Sequence, residues 1–208
     1  MASSIRPMMV TVALSAAAAL GYVGYRLLIP EPPPGPAVAP TDATEAASAP
    51  MLADALPEFS VGNLAGEPTP IGSWPGRPLI VNFWATWCAP CLREIPLLKA
   101  FQVEHPDMQI VGIAVDKADA VASFAPRMEF NYPILVGQND AIGAATALGV
   151  QVLALPITVF TAGDGAILRI HTGEVHAEHL ENYAAVIADL GAGRTDRATA
   201  RARLAGLE

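Results

Sequence analysis

The chain has 208 residues, 52% of them hydrophobic, 6% aromatic and 15% charged, with a formal net charge of −8. This is too apolar for a disordered chain, and without a basic footprint it excludes nucleic acid as a partner. Two cysteines, Cys88 and Cys91, are too few for a disulfide-stapled scaffold or a four-cysteine zinc site.

The first element is an apolar run. Residues 7–25 carry no charged side chain, and after Arg26 the run resumes at Leu27, Leu28 and Ile29. A helix rising about 1.5 Å per residue over this length crosses about 30 Å of hydrocarbon, so residues 1–29 are expected to be a membrane anchor. A cleaved signal peptide competes, because Arg6 precedes the run and the alanines at 16–19 offer an Ala-x-Ala site. The apolar character persists beyond that site, which favours the anchor, and either reading exports the remainder. Residues 30–55 are rich in proline and alanine and poor in aromatic side chains, as in an extended linker.

Residues 56–193 have the length of a single domain, followed by a basic helical tail over 194–208 that carries Arg194, Arg197, Arg201 and Arg203. Between 56 and 74 short apolar pieces broken by Gly62, Gly66, Pro68 and Gly72 suggest a β-hairpin or irregular cap. Residues 79–84 form a continuous apolar run after Pro78, as in a strand buried on both faces. Leu92, Ile95, Leu98 and Phe101 then recur at helical spacing over 90–104, with Pro96 expected to kink the helix. A strand over 108–115, a helix over 118–130, an extended piece at 134–136 and a short helix over 141–148 follow. Strands at 157–160 and 166–170 flank Gly163-Asp164-Gly165, a hairpin signal, and an amphipathic helix over 176–190 closes the domain. Parallel βαβ units followed by a hairpin and a last helix imply an α/β fold, a mixed sheet flanked by helices.

The chemistry concentrates in Trp84-Ala85-Thr86-Trp87-Cys88-Ala89-Pro90-Cys91, where the buried strand ends and a helix begins. Unpaired N–H groups and the positive end of the helix dipole stabilise a thiolate at Cys88, which makes it the nucleophile. Cys91 lies one turn on, more buried and within reach for a small disulfide ring, and so suits resolution of a mixed disulfide. Pro90 fixes the first turn where its missing N–H costs nothing. A structural disulfide or a metal pair explains this placement less well, since the ring is small and further ligands at standard spacing are lacking.

The stretch Val81-Asn82-Phe83-Trp84-Ala85-Thr86-Trp87-Cys88-Ala89-Pro90-Cys91 resembles the active site of the thioredoxin superfamily, and more narrowly that of the membrane-tethered TlpA/ResA-like thiol-disulfide oxidoreductases. An N-terminal hairpin, a central insertion around 134–148, Leu155-Pro156-Ile157-Thr158 and Gly173 match in the same order, so the resemblance spans residues 56–190. It implies a thioredoxin-like fold with a cis peptide bond before Pro156. Leu155 then offers its backbone to a substrate peptide, and Leu155 and Pro156 join Trp87, Ala89 and Pro90 as substrate-binding residues. Ordinary thioredoxins carry an ionisable aspartate where this chain has Asn82. The resemblance instead implies a proton-transfer role for Glu94, three residues after Cys91 on the same helical face, against the plainer reading of a solvated surface carboxylate.

The resemblance further implies a reductase of exported protein disulfides, acting in cytochrome c maturation or related envelope redox assembly. Its electrons come from a membrane thiol donor of the DsbD/CcdA kind, and it sits in a bacterial inner membrane with its domain facing the periplasm. No cofactor beyond the redox-active Cys88–Cys91 disulfide and no metal is expected. A copper-delivery chaperone of the same fold, serving respiratory oxidase assembly, is the alternative, with His171, His176 and His179 near the last helix. Such chaperones use a Cys-x-x-x-Cys spacing, one residue longer than here. A peroxidase would need threonine and proline where Ala85 and Val81 stand.

Overall fold

A computed structural model of the chain describes residues 54–206 except 151 and 153. The expected anchor and nearly all of the linker lie outside the described residues. Among the described residues no helix is long and apolar enough to cross a membrane.

The elements are β1 (Ser60–Gly62), β2 (Pro68–Pro70), β3 (Leu79–Trp84), α1 (Ala89–Glu104), β4 (Gln109–Ala114), α2 (Ala118–Met128), β5 (Ile134–Val136), α3 (Gln138–Ala147), β6 (Ile157–Thr161), β7 (Ile167–Thr172), α4 (Ala177–Gly191) and α5 (Arg197–Ala205). The main sheet runs β5-β4-β3-β6-β7. Strands β3, β4 and β5 are parallel, as βαβ crossovers require, whereas β6 and β7 return antiparallel through the Gly163-Asp164-Gly165 turn. Hairpin β1–β2 is separate and is bridged to β5 between Asn63 and Leu135.

All six residues of β3 and of β4 are buried, as their largely apolar sequences require, with Asn82 and Gln109 the polar exceptions. Alternation along β3 splits the core in two. Ile80 and Trp84 join α1, α4 and α5 through Ile95, Leu98, Phe101, Tyr183 and Leu204. Leu79, Val81 and Phe83 pack on the other face with Val61, Ile71 and the alanines of α3. The polar Asn82 therefore projects into the layer beneath α1.

One element departs from expectation. α3 starts at Gln138, three residues before its first buried residue Ala141, because Gln138, Asn139 and Asp140 carry no apolar periodicity. The basic tail is docked: Ala200 and Leu204 of α5 are fully buried, and all four arginines pair with aspartates, Arg194 and Arg203 with Asp189, Arg197 with Asp164 and Arg201 with Asp54. Such exposed pairs contribute little stability, so the two buried side chains hold the helix.

Candidate active site

Strand β3 delivers the chain into a turn at residues 85–88, closed by the Cys88 N–H donating to Ala85 O at 3.2 Å. Cys88 is the N-cap of α1, followed by Ala89, Pro90 and Cys91 in the first turn. Its sulfur accepts the Cys91 N–H at 3.3 Å, the bond a serine oxygen makes at such a position. A disulfide joins the two cysteines, with a Cα–Cα distance of 5.3 Å. Cys91 is completely buried and Cys88 retains 5% exposure, so an incoming disulfide meets Cys88 first. When the bond is reduced, the helix N-terminus stabilises negative charge on Cys88 rather than on the sulfur beneath it.

Glu94 stands one turn further along α1 and is only 1% exposed, which overturns the solvated reading of this carboxylate. The side-chain amide of Asn82 donates to Glu94 Oε1 at 2.8 Å, and the backbone N–H of Val175 donates to Oε2 at 2.8 Å. Burial raises its pKa to about 7, against the opposing pull of these two hydrogen bonds, and the charge of Glu174 adds to the rise. The antiparallel register sets Thr158 opposite Asn82, and Asn82 Nδ2 also donates to Thr158 Oγ1 at 3.0 Å. Arg93, on the outer side of the same turn, binds both carboxylate oxygens of Glu174 at 3.0 and 3.2 Å. Neighbouring residues of α1 thus grip neighbouring residues of the β7–α4 loop.

The Leu155–Pro156 peptide bond is cis. Gly173, at φ +106 where only glycine is unstrained, donates its N–H to Pro156 O at 2.9 Å and ties that segment to the end of β7. Leu155 packs against the cluster that contains both cysteines. Trp87, 69% exposed, and Leu155 line one cavity of about 490 Å³, together with Val115, Lys117, Ile142 and Val152. Ala89 is exposed and Pro90 half-buried on the first turn of α1, and neither lines that cavity. Cys88 caps the helix that carries Cys91 and Glu94, Trp87 and Leu155 share a surface hollow, and Pro156, next in the chain after Leu155, is buried.

The histidines of the copper alternative cluster with one another, the His171 and His179 rings 5.0 Å apart and those of His176 and His179 5.4 Å apart. Burial lowers the pKa of His171. Among the described residues, the one trio of His, Cys, Asp or Glu with ligand atoms all within 4.8 Å of one another is Glu104, His105 and Glu181, without either cysteine. Sequence reasoning missed Thr158 and Val175, which reach the site only through strand pairing and a loop. Thr158 alone had a signal, lying two residues after Pro156.

A dithiol capping the helix that follows a central parallel strand, on a sheet of this order with a cis-proline before the antiparallel strand, defines a thioredoxin-fold redox protein. The Redoxin family model matches residues 51–187. The chain is 31% identical over 130 residues to the thioredoxin-like protein YneN of Bacillus subtilis, covering 60% of this chain and 74% of that one. It is 27% identical over 130 residues to the thiol-disulfide oxidoreductase ResA of Bacillus thuringiensis, covering 61% and 73%. A thiol:disulfide interchange protein of the thioredoxin family from Chlorobium tepidum superposes with a TM-score of 0.53 at 26% identity, covering 60% of this chain and 88% of that one. The chain belongs to the Redoxin family and, within it, is a TlpA/ResA-like thiol-disulfide oxidoreductase.

Proposed function

We propose that this protein reduces disulfides of exported proteins, with Cys88 as nucleophile and Cys91 as resolving thiol. The observation that carries the reading is the asymmetry of the pair: Cys88 caps α1 and keeps some exposure while Cys91 has none. The Cys88 thiolate attacks a substrate disulfide, forms a mixed disulfide and releases one substrate thiolate. The Cys91 thiolate then attacks Cys88 Sγ, closing the Cys88–Cys91 disulfide and releasing the second substrate thiolate. Two electrons pass to the substrate, and a membrane thiol donor of the DsbD/CcdA kind returns them. Glu94, with a pKa near 7, takes or gives the proton that the cysteine pair exchanges in each cycle. Trp87, Ala89, Pro90, Leu155 and Pro156 form the substrate contact, Leu155 offering backbone pairing to an extended peptide.

Residues 1–29 tether the domain to a bacterial inner membrane with the active site in the periplasm. The TlpA/ResA resemblance supports a place in cytochrome c maturation or a related envelope assembly step. Equilibration of the dithiol against a glutathione series tests direction. A reductase should give a potential well below about −200 mV, and a value near about −120 mV would make the protein an oxidant.

A further inference from the structure

We infer that Asp116 is a positioning residue for the nucleophile and acts through Thr86. Strand β3 ends at Trp84, so the turn at 85–88 lies beyond the sheet ladder and is closed within itself only by the 3.2 Å bond from Cys88 N–H to Ala85 O. Thr86 is the second residue of that turn. Both of its donors go to one oxygen of Asp116: the backbone N–H to Oδ2 at 3.0 Å and the hydroxyl to the same atom at 2.6 Å. The other oxygen accepts the Lys117 N–H at 2.8 Å, so the carboxylate is itself held at its own position. One residue earlier the Val115 N–H donates to Trp84 O at 2.8 Å, which fixes the end of β4 beside the end of β3.

Asp116 is 8% exposed, and hydrogen bonds to a carboxylate at that burial are strong and directional. A side chain thus continues the pairing of β3 with β4 for one further step and sets where the turn, and with it Cys88 Sγ, can sit. Asp116 hydrogen-bonds to neither cysteine, so its effect reaches the sulfur through the turn. Thiol–disulfide exchange needs the attacking sulfur aligned with the bond it breaks, so a nucleophile whose turn is released loses rate.

The inference rests on Cys88 being the nucleophile. The full-length protein in detergent, carrying Cys91→Ser to isolate Cys88, is reacted with 5,5′-dithiobis(2-nitrobenzoate) over a pH series, and thermal midpoints are recorded alongside. Thr86→Val removes the hydroxyl donor and should lower the limiting rate of the folded protein about tenfold, Asp116→Ala at least as much, while Thr86→Ser restores it to within about twofold. A merely structural contact would lower the midpoint and leave the limiting rate unchanged. That result in Thr86→Val, or equal slowing by Thr86→Val and Thr86→Ser, overturns the positioning role even if Asp116→Ala fails to fold. A parent Cys91→Ser chain no more reactive than free cysteine overturns the assignment of the nucleophile itself, a result distinct from a reactive parent that Thr86→Val matches.

Discussion

Glu94 and Asn82 meet inside the core, the Asn82 amide donating to Glu94 Oε1 at 2.8 Å with each residue 1% exposed. An amide here does what a second carboxylate could not: it holds an ionised Glu94 in place without adding charge to an apolar layer. Among the described residues Asn82 Oδ1 has no hydrogen-bond partner, so the amide is committed through its two donors to Glu94 and Thr158.

Burial lifts Glu94 from about 4.5 to about 7. Because the folded-state value is the higher, its stabilising contribution is fully present below about pH 4.5 and is lost as the pH rises through about 7. Glu94→Gln removes that dependence. In urea melts, the stability of the variant relative to wild type should rise by about 3 kcal/mol between about pH 4 and pH 8. The exchange rate should also lose an inflection near neutral pH. A difference that stays flat across this window would show that Glu94 titrates as an ordinary surface carboxylate.

Asn82→Ala deletes a donor that favours the ionised form of Glu94. The inflection in exchange rate should therefore move to higher pH, and stability at neutral pH should fall by about 2 kcal/mol for the Oε1 oxygen left without its donor and the small void. A downward move of the inflection would contradict the arrangement.

The helix-capping dithiol was legible because its meaning is local, a strand, a turn and Cys-x-x-Cys within a dozen residues. Burial of Glu94 was not legible. Helical spacing places it beside Cys91 and Ile95, but its cover comes from Val175, about eighty residues away. Thr158 likewise reaches Asn82 through antiparallel register, which sequence periodicity does not encode. Docking of helix α5 was not legible either, because only Ala200 and Leu204 of its nine residues are buried.

Gly112 lies in β4 against the core side chains of Trp84, Tyr132 and Ile134. A Cβ there would stand 2.8 Å from Ile134 Cδ1, 3.2 Å from Trp84 Nε1 and 3.3 Å from Tyr132 Cε2. The isoleucine tip can swing aside, but Trp84 is braced by Phe124 and Phe130 and Tyr132 by Phe130. Gly112→Ala should cost about 1–3 kcal/mol in a denaturant melt, and an unchanged midpoint would contradict this packing.

Trp87 is 69% exposed, so its truncation removes little buried surface. Trp87→Ala should change stability by less than about 0.5 kcal/mol while raising KM for protein disulfides severalfold. A KM equal to that of wild type would remove Trp87 from the substrate surface.

Trapping tests the central claim most directly. The full-length Cys91→Ser protein, produced in cells and isolated under acid quench, is resolved on diagonal non-reducing gels, and the linked cysteine is identified by mass spectrometry. Mixed disulfides with exported proteins should be found on Cys88 and be missing from Cys88→Ser. Adducts that form through Cys91 in Cys88→Ser, or no adducts in Cys91→Ser, would contradict the assignment of Cys88 as the attacking thiol.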